Sequence, residues 1–420
     1  MVQRILKCSM IFIAILLSLK THALIGYVTI DGIRYYVVTK GKTAQVANQS
    51  PEDLPDEVVI PATIECEGIV CNVTSIDDRA FSETSIKSVI IPNSVTSIGE
   101  EAFYHCKKLI SATLPSSITS IEKRTFYQCK SLTSVNIPGS VTKIGSEAFR
   151  NCDALTSMVI PNSVTYIEAY AFYGCANLKS VTISNSLAEI GSLVFSKCTG
   201  LTSVTIPYGV TSFGWCTFSG CTGLTTVTIP NSVTTIDGFA FSKCTGLTSV
   251  TIPNSVTTIG GGAFEGCTSL TSVNIPNSVK TIGGSFIGCS SLTSVTIPES
   301  VTTIASAFSD CPELADVYCY SVSPPEISDD AFGGSFIGYA TLHVPASSIE
   351  LYENTKIWEG FGTIIALTQE ETGVEGINDN WDSTMSTNFF SLDGISHKTL
   401  QKGVNIIHVN DGTTKKIYMP

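Results

Sequence analysis

Hydrophobic and polar residues follow a pattern that returns every 23 residues over most of the chain. One unit, residues 247–267, reads LTSVTIPNSVTTIGGGAFEGC. Its apolar positions have the spacing of two short extended segments with one inward face each: Leu247, Val250, Ile252, Val256 and Ile259. Pro253 ends the first segment, because proline has no N–H to donate to a strand ladder. The pattern therefore predicts two short strands in each unit.

A phenylalanine and a cysteine mark the same two positions in ten consecutive units. The phenylalanines lie 23 residues apart, and 22 apart at the end: Phe103, Phe126, Phe149, Phe172, Phe195, Phe218, Phe241, Phe264, Phe286 and Phe308. The cysteines keep the same register: Cys106, Cys129, Cys152, Cys175, Cys198, Cys221, Cys244, Cys267, Cys289 and Cys311. A fixed period in the twenties predicts a solenoid, in which each unit is stable only when it stacks on its neighbours.

The unit Leu-x-x-Val-x-Ile-Pro-x-x-Val-x-x-Ile-Gly-x-x-Ala-Phe-x-x-Cys resembles the BspA-like leucine-rich repeats of bacterial surface proteins of the Bacteroidetes type. The resemblance covers roughly residues 73–311. It implies a solenoid of parallel β-strands with short helical or 3-10 turns, capped by short β-rich ends. It also implies a role in adhesion or ligand capture.

Segments of different composition flank the repeats. Arg4 and Lys7 precede an apolar run and small residues, which predicts a secretory signal peptide over residues 1–23. We further predict an N-terminal β cap (24–75), the repeat solenoid (76–311), a degenerate repeat with a C-terminal cap (312–367), a polar linker (368–387) and a short β segment (388–420). The last segment resembles the terminal part of C-terminal sorting domains, in LDG at 392–394 and KGV from Lys402. These features predict a secreted or cell-surface protein.

The charge of the chain excludes some classes of partner. The formal net charge is -12 and only 14% of the residues are charged, so no basic patch is available for phosphate groups. Nucleic acid is therefore not an expected partner. Apart from the signal peptide, no stretch is apolar for long enough to span a membrane, so the mature chain is expected to have no integral membrane span.

The cysteine column raises three alternatives. Disulfides between neighbouring units are unfavourable, because equivalent Cβ atoms lie about 4.8 Å apart in stacked strands whereas a relaxed bridge needs roughly 3.5–4.5 Å. Metal binding needs a tetrahedral set of ligands, which a column of single thiols does not supply. We therefore interpret the column as buried packing. Outside the column, Cys66 and Cys71 flank a predicted turn, and either a hairpin disulfide or two buried thiols would fit there.

Catalytic motifs are missing from the sequence. The five histidines are scattered, and we find neither a zinc-protease motif nor a nucleophile elbow. We therefore predict no enzymatic activity, no cofactor and no metal site.

Hydroxyl side chains occupy the outward positions of the first strand in successive units. The candidate ligand-binding residues are Thr202, Ser203, Thr205, Thr225, Thr226, Thr228, Thr248, Ser249 and Thr251. Threonine is also simply a favourable residue on an exposed strand, so a purely structural interpretation stays open. The functional interpretation is a broad, nearly uncharged face that hydrogen-bonds a protein or a glycan.

The leading hypothesis is a non-enzymatic surface protein for adhesion or protein–protein interaction, with host-matrix or cell-surface proteins as partners. Carbohydrate binding is the alternative, and aromatic residues on the exposed strands would favour it. The repeats instead place their phenylalanines inward, with Tyr104, Tyr127 and Tyr173 expected on the convex side. A Thr array that contacts ice or mineral is a third hypothesis, although Ser203, Ser249 and Asn274 interrupt regular Thr columns.

Overall fold

The repeats form a parallel β-solenoid, as predicted. The computed structural model describes residues 25–50, 54–368 and 371, together with the backbone of five short strands between residues 375 and 419. The predicted signal peptide at 1–23 lies outside the described residues.

Most turns contribute one strand to each of two parallel arrays. The first-strand array comprises Glu57–Val59, Ser88–Ile90, Ser111–Thr113, Ser134–Val135, Ser157–Val159, Ser180–Thr182, Ser203–Thr205, Thr226–Thr228, Ser272–Asn274, Ser294–Ile297, Asp316–Cys319, Thr341–Val344 and Thr363–Ala366. The second-strand array comprises Ser97–Ile98, Ser120–Ile121, Lys143–Ile144, Tyr166–Ile167, Glu189–Ile190, Ser212–Phe213, Thr235–Ile236, Thr258–Ile259, Thr281–Gly283, Thr303–Ala305 and Glu326–Ile327. Neighbouring turns pair in register, for example Ser203 with Thr226.

A third side of each turn, here called the turn side, carries the Ala-Phe pair. Its backbone forms short hydrogen-bonded β-turn-like bends. In the repeats, these bends stand where helical or 3-10 segments were expected. Two residues in each turn have a positive φ, as in Glu147 (57°) and Asn151 (55°). Such residues interrupt a right-handed helix. Their N–H groups, with that of Phe149 between them, point to the next turn and donate to its carbonyl oxygens at 2.7–3.1 Å.

The core is a column of stacked phenylalanine rings. Twelve rings from Phe81 to Phe332 follow one another at centroid distances of 5.2–5.7 Å and interplanar angles of 1–17°. The spacing exceeds the strand separation of about 4.8 Å, as offset stacking requires. The predicted inward positions of the unit at 247–267 are buried, except that Val250 is half-buried.

The N-terminal cap is a mixed sheet that continues into the second-strand array. Its strands are Ile25–Ile30, Ile33–Val38, Thr43–Val46, Thr63–Cys66 and Ile69–Ile76. Two hairpins turn at Asp31-Gly32 and Glu67-Gly68, where all four residues have a positive φ. The second of these is the turn predicted between Cys66 and Cys71. Cys71 lies opposite Ile64, whereas Cys66 lies opposite Ile69. The two sulfurs are therefore diagonal neighbours, and the structure places no disulfide between them.

Aromatic side chains close the other end of the phenylalanine column. Trp358 and Phe361 meet the last ring, Phe332, edge to face at 6.1 and 5.3 Å. This end contains the short helices of the described chain, namely the 3-10 helices Ile337–Tyr339, Ala346–Ser348 and Trp358–Gly360 and the α-helix Ile349–Glu353. Within the described residues, no helix has the length and apolar character needed to cross a membrane.

The C-terminal residues contain a separate five-stranded sheet. Its strands are Glu375–Gly376, Ser386–Ser391, Ser396–His397, Gly403–Val409 and Thr414–Met419. The last three strands lie in the segment predicted to be short and β-rich (388–420), and Ser386–Ser391 lies mostly in it. Glu375–Gly376 lies within the predicted linker. Most of the predicted linker, 368–387, lies outside the described residues.

Candidate ligand-binding face

The nine predicted hydroxyl residues all lie exposed on the outer face of the first-strand array. Ser203 pairs with Thr226, and Thr205 with Thr228, in two adjacent parallel strands. Between these pairs, Val204 and Val227 point into the core, so the strand alternation places the hydroxyls outward. Six of the nine residues thus lie on two hydrogen-bonded neighbouring turns: Thr202, Ser203, Thr205, Thr225, Thr226 and Thr228.

The third predicted group differs from this arrangement. Thr248, Ser249 and Thr251 were expected on a strand, but this stretch is not a strand. No backbone hydrogen bond joins residues 248–252 to residues 225–229, although both stretches are fully described. Val250 is only half-buried, whereas Val204 is buried. The three hydroxyls of this group are therefore exposed on an irregular stretch.

The hydroxyls of the face divide into two groups. The Thr225 hydroxyl donates to the carbonyl oxygen of Thr202 at 3.1 Å, and the Thr202 hydroxyl to that of Lys179 at 3.5 Å. These protons are used between turns and are not available to a ligand. Within the described part of the chain, the other side chains of the face make no such bond: Ser203, Thr205, Thr226, Thr228, Thr248, Ser249 and Thr251.

The face carries no charge over five turns. From residue 202 to residue 296, the exposed positions of the first-strand segments are occupied by Thr, Ser and Asn. Four steps between turns of about 4.8 Å give a length of roughly 19 Å. Such a surface offers hydrogen bonds to a ligand and little electrostatic steering.

The ten repeat cysteines are placed in the core. Each thiol is buried and donates to the carbonyl oxygen of the core phenylalanine one turn back, at sulfur–oxygen distances of 2.9–3.4 Å. Burial raises the pKa of the Cys221 thiol to about 12. None of the ten forms a disulfide. The packing interpretation is confirmed, and the thiols have the added role of satisfying a buried carbonyl in each turn.

Metal-ligating side chains are dispersed. Within residues 25–50, 54–368 and 371, no three His, Cys, Asp or Glu side chains converge on a point where an ion would bind.

Comparison with known proteins identifies the repeats. The model of the BspA-type leucine-rich repeat region matches residues 74–202, 142–250, 189–315 and 234–355, which together span more than half of the chain. The chain belongs to the BspA-type leucine-rich repeat family. A comparison with curated proteins finds no similar sequence.

Solved structures of leucine-rich repeat proteins are similar to this chain. A leucine-rich repeat protein from Bacteroides ovatus is 27% identical with a TM-score of 0.64, and the match covers 81% of this chain and 99% of that protein. A leucine-rich cell surface protein from Faecalibacterium prausnitzii is 29% identical with a TM-score of 0.46, covering 73% of this chain and 97% of that protein.

The turn side carries a network that sequence reasoning did not find. Arg79 and Arg124 both contact the Glu101 carboxylate, at 2.6 and 3.2 Å, and Arg124 continues to Glu147 at 2.8 Å. Burial alone would raise the pKa of Glu101, but hydrogen bonds and charge from both arginines outweigh it and lower that pKa. The sequence does contain a signal for this network. The residue two positions before the core phenylalanine alternates in charge from one unit to the next.

Tyrosines lie beside this ion-pair network. Tyr104 and Tyr127 stack at 4.9 Å, and the Arg150 guanidinium lies 4.7 Å from the Tyr173 ring. The three tyrosines, expected on the convex side, therefore belong to the turn side, where they pack on one another and on cations.

Proposed function

We propose that this BspA-type chain is a non-enzymatic protein of the cell exterior that binds partner proteins through the exposed hydroxyls of its first-strand array. The partners are proteins of the host matrix or of neighbouring cell surfaces. The observation that carries the proposal is the uncharged face of residues 202–296, in which a subset of hydroxyls has no partner within the described chain.

The shape of the molecule supports this proposal. Stacked turns present one long surface, and solenoids commonly use such extended surfaces to bind proteins. Backbone pairing fixes Thr205 and Thr228 side by side, so part of the surface is ordered before a partner arrives. A similar protein from Faecalibacterium prausnitzii is described as a cell surface protein, which agrees with a location outside the cell.

The test compares two pairs of substitutions on the two arrays. Thr205→Lys with Thr228→Lys adds bulk and charge to the proposed face. Thr258→Lys with Thr281→Lys makes the same change on the second-strand array, where both threonines are exposed. The full chain and both double variants are applied to an array of purified matrix proteins, cell-surface proteins and glycans.

We expect the unmodified chain and the second-array variant to bind the same protein with equal affinity. The first-array variant should bind at least about tenfold more weakly, because two cations are then desolvated at the interface. All three chains should have the same thermal midpoint, since the sites are exposed. Binding to no protein, or equal loss in both variants, would contradict the proposal.

A further inference from the structure

The turn side changes character in the middle of the solenoid. In the first turns its corner carries the ion pairs of Arg79, Glu101 and Arg124. Further along, the same corner carries two aromatic rings in successive turns, Trp215 (51% exposed) and Phe239 (36% exposed). Their centroids are 5.8 Å apart and their planes meet at 75°. The two rings therefore form an open corner with two differently oriented aromatic surfaces.

Glycines of the following turn support both rings. A Cβ atom at Gly238 would lie 3.4 Å from Cδ1 and 3.6 Å from Nε1 of Trp215. A Cβ atom at Gly262, where φ is +67°, would lie 2.5 Å from the Phe239 ring. The rings thus lie against bare backbone on one side, in space that a side chain would otherwise fill. This support restricts the rings while about half of the Trp215 surface stays in solvent.

Hydrogen-bonding groups flank the aromatic corner. Asp237 is the equivalent, one turn later, of Gly214, the residue that directly precedes Trp215. Its carboxylate is half-buried, and burial raises its pKa. Within the described residues, neither this carboxylate nor the Trp215 indole N–H has a hydrogen-bond partner. One acceptor group and one donor are therefore available beside the exposed ring.

We propose that Trp215, Phe239 and Asp237 form a binding site for a pyranose residue of a glycan. A sugar ring has one face of C–H groups, which packs on an aromatic surface, and a rim of hydroxyls, which a carboxylate and an indole N–H can bind. The site joins these two features at adjacent positions. It lies on the turn side and not on the face proposed to bind proteins, so the two proposals are independent.

The neighbouring residues favour a sugar over a protein partner. A protein interface of high affinity buries its central aromatic residue within a surrounding rim of side chains. On the side of the following turns, the rings meet Gly238, Gly261 and Gly262, which supply no such rim there. A polar group, the Glu265 carboxylate, lies 3.1 Å from where a Cβ atom of Gly262 would be. A small, flat ligand fits this bare surface.

The experiment uses the fluorescence of Trp215 in the full chain. Oligosaccharides of glucose, galactose, mannose and N-acetylglucosamine are titrated into the chain and into three variants, Trp215→Ala, Asp237→Ala and Tyr208→Ala. Subtracting the Trp215→Ala signal removes the contributions of the other two tryptophans. Tyr208→Ala is the matched control, since Tyr208 is a solvent-exposed aromatic residue (83%) of the same turn.

We expect at least one oligosaccharide to change the Trp215 emission in a saturable way and to protect it from acrylamide. Trp215→Ala and Asp237→Ala should each weaken binding, measured by calorimetry, by about tenfold or more, whereas Tyr208→Ala should leave it unchanged. Absence of saturable binding by all four sugars, or equal binding by Trp215→Ala and the unmodified chain, would overturn the proposal. The lysine variants of the first-strand array should bind the sugar normally.

Discussion

The turn side and the first-strand array of the same solenoid are held together in different ways. On the turn side, every core phenylalanine from Phe81 to Phe308 donates its N–H to the next turn at 2.7–3.0 Å, without a gap. The first-strand array is divided into four separate sheets, which end at turns such as that of Thr248. The outer side chains show the opposite difference in regularity. They vary from turn to turn on the turn side, whereas on the strand face they are almost uniformly Ser and Thr.

This difference shows that neighbouring turns are held together by backbone hydrogen bonds on one side and partly by side-chain hydrogen bonds on the other. The turn side is fixed by its backbone, so its outer side chains can vary from ion pairs to aromatic rings without loss of the fold. The backbone ladder of the strand face is interrupted, and hydroxyls such as that of Thr225 add bonds between its turns. Part of the uniformity of that face is therefore structural, and the hydroxyls left for a partner are the smaller group that includes Thr205 and Thr228.

The largest expected effect is on the core beneath the turn side. Phe149→Ala removes one ring from a continuous stack and should lower the free energy of unfolding by about 3–5 kcal/mol. Val204→Ala, the matched change beneath the strand face, removes fewer atoms and should cost about 1–2 kcal/mol. Urea denaturation measures both. A larger loss for Val204→Ala would show that the strand side dominates stability.

A pH-dependent effect of intermediate size is expected at Glu101. Its folded-state pKa is lowered, so its ionised form stabilises the fold above the unfolded-state pKa of about 4.3, and the contribution is lost as the pH falls through the folded value. Glu101→Gln should therefore cost about 1–3 kcal/mol at pH 7, because two arginines lose their buried partner. The difference from the unmodified chain should shrink below about pH 4.

The control for this change is the exposed carboxylate Glu189, which forms no ion pair within the described residues. Glu189→Gln should leave the free energy of unfolding within about 0.5 kcal/mol of the unmodified chain at both pH values. A Glu101→Gln cost that does not change with pH would indicate lost packing and not lost charge.

Properties of a single unit could be predicted from the sequence, whereas relations between units could not. The period, the inward residues and the buried cysteines follow from the alternation of side chains. The positive φ of Glu147 and the support of Phe239 by Gly262 depend on the neighbouring turn, 23 residues away. The absence of a strand at Thr248 could not be predicted either, because residues 247–253 have the same sequence, LTSVTIP, as residues 201–207, which contain the strand Ser203–Thr205.

The smallest expected effect distinguishes the two groups of hydroxyls on the strand face. Thr225→Val keeps the shape and strand preference of the side chain but removes the proton that bonds the Thr202 carbonyl, so it should lower the free energy of unfolding by about 0.5 kcal/mol. Thr228→Val removes a hydroxyl that has no internal partner and should leave stability unchanged. The effect on partner binding should be reversed: the Thr228→Val variant should bind the partner more weakly than the Thr225→Val variant. If Thr225→Val and Thr228→Val had equal effects on stability and on binding, the distinction between the two groups of hydroxyls would be wrong. The hydrogen bond from Thr225 to Thr202 would then not stabilise the fold more than an exposed hydroxyl does.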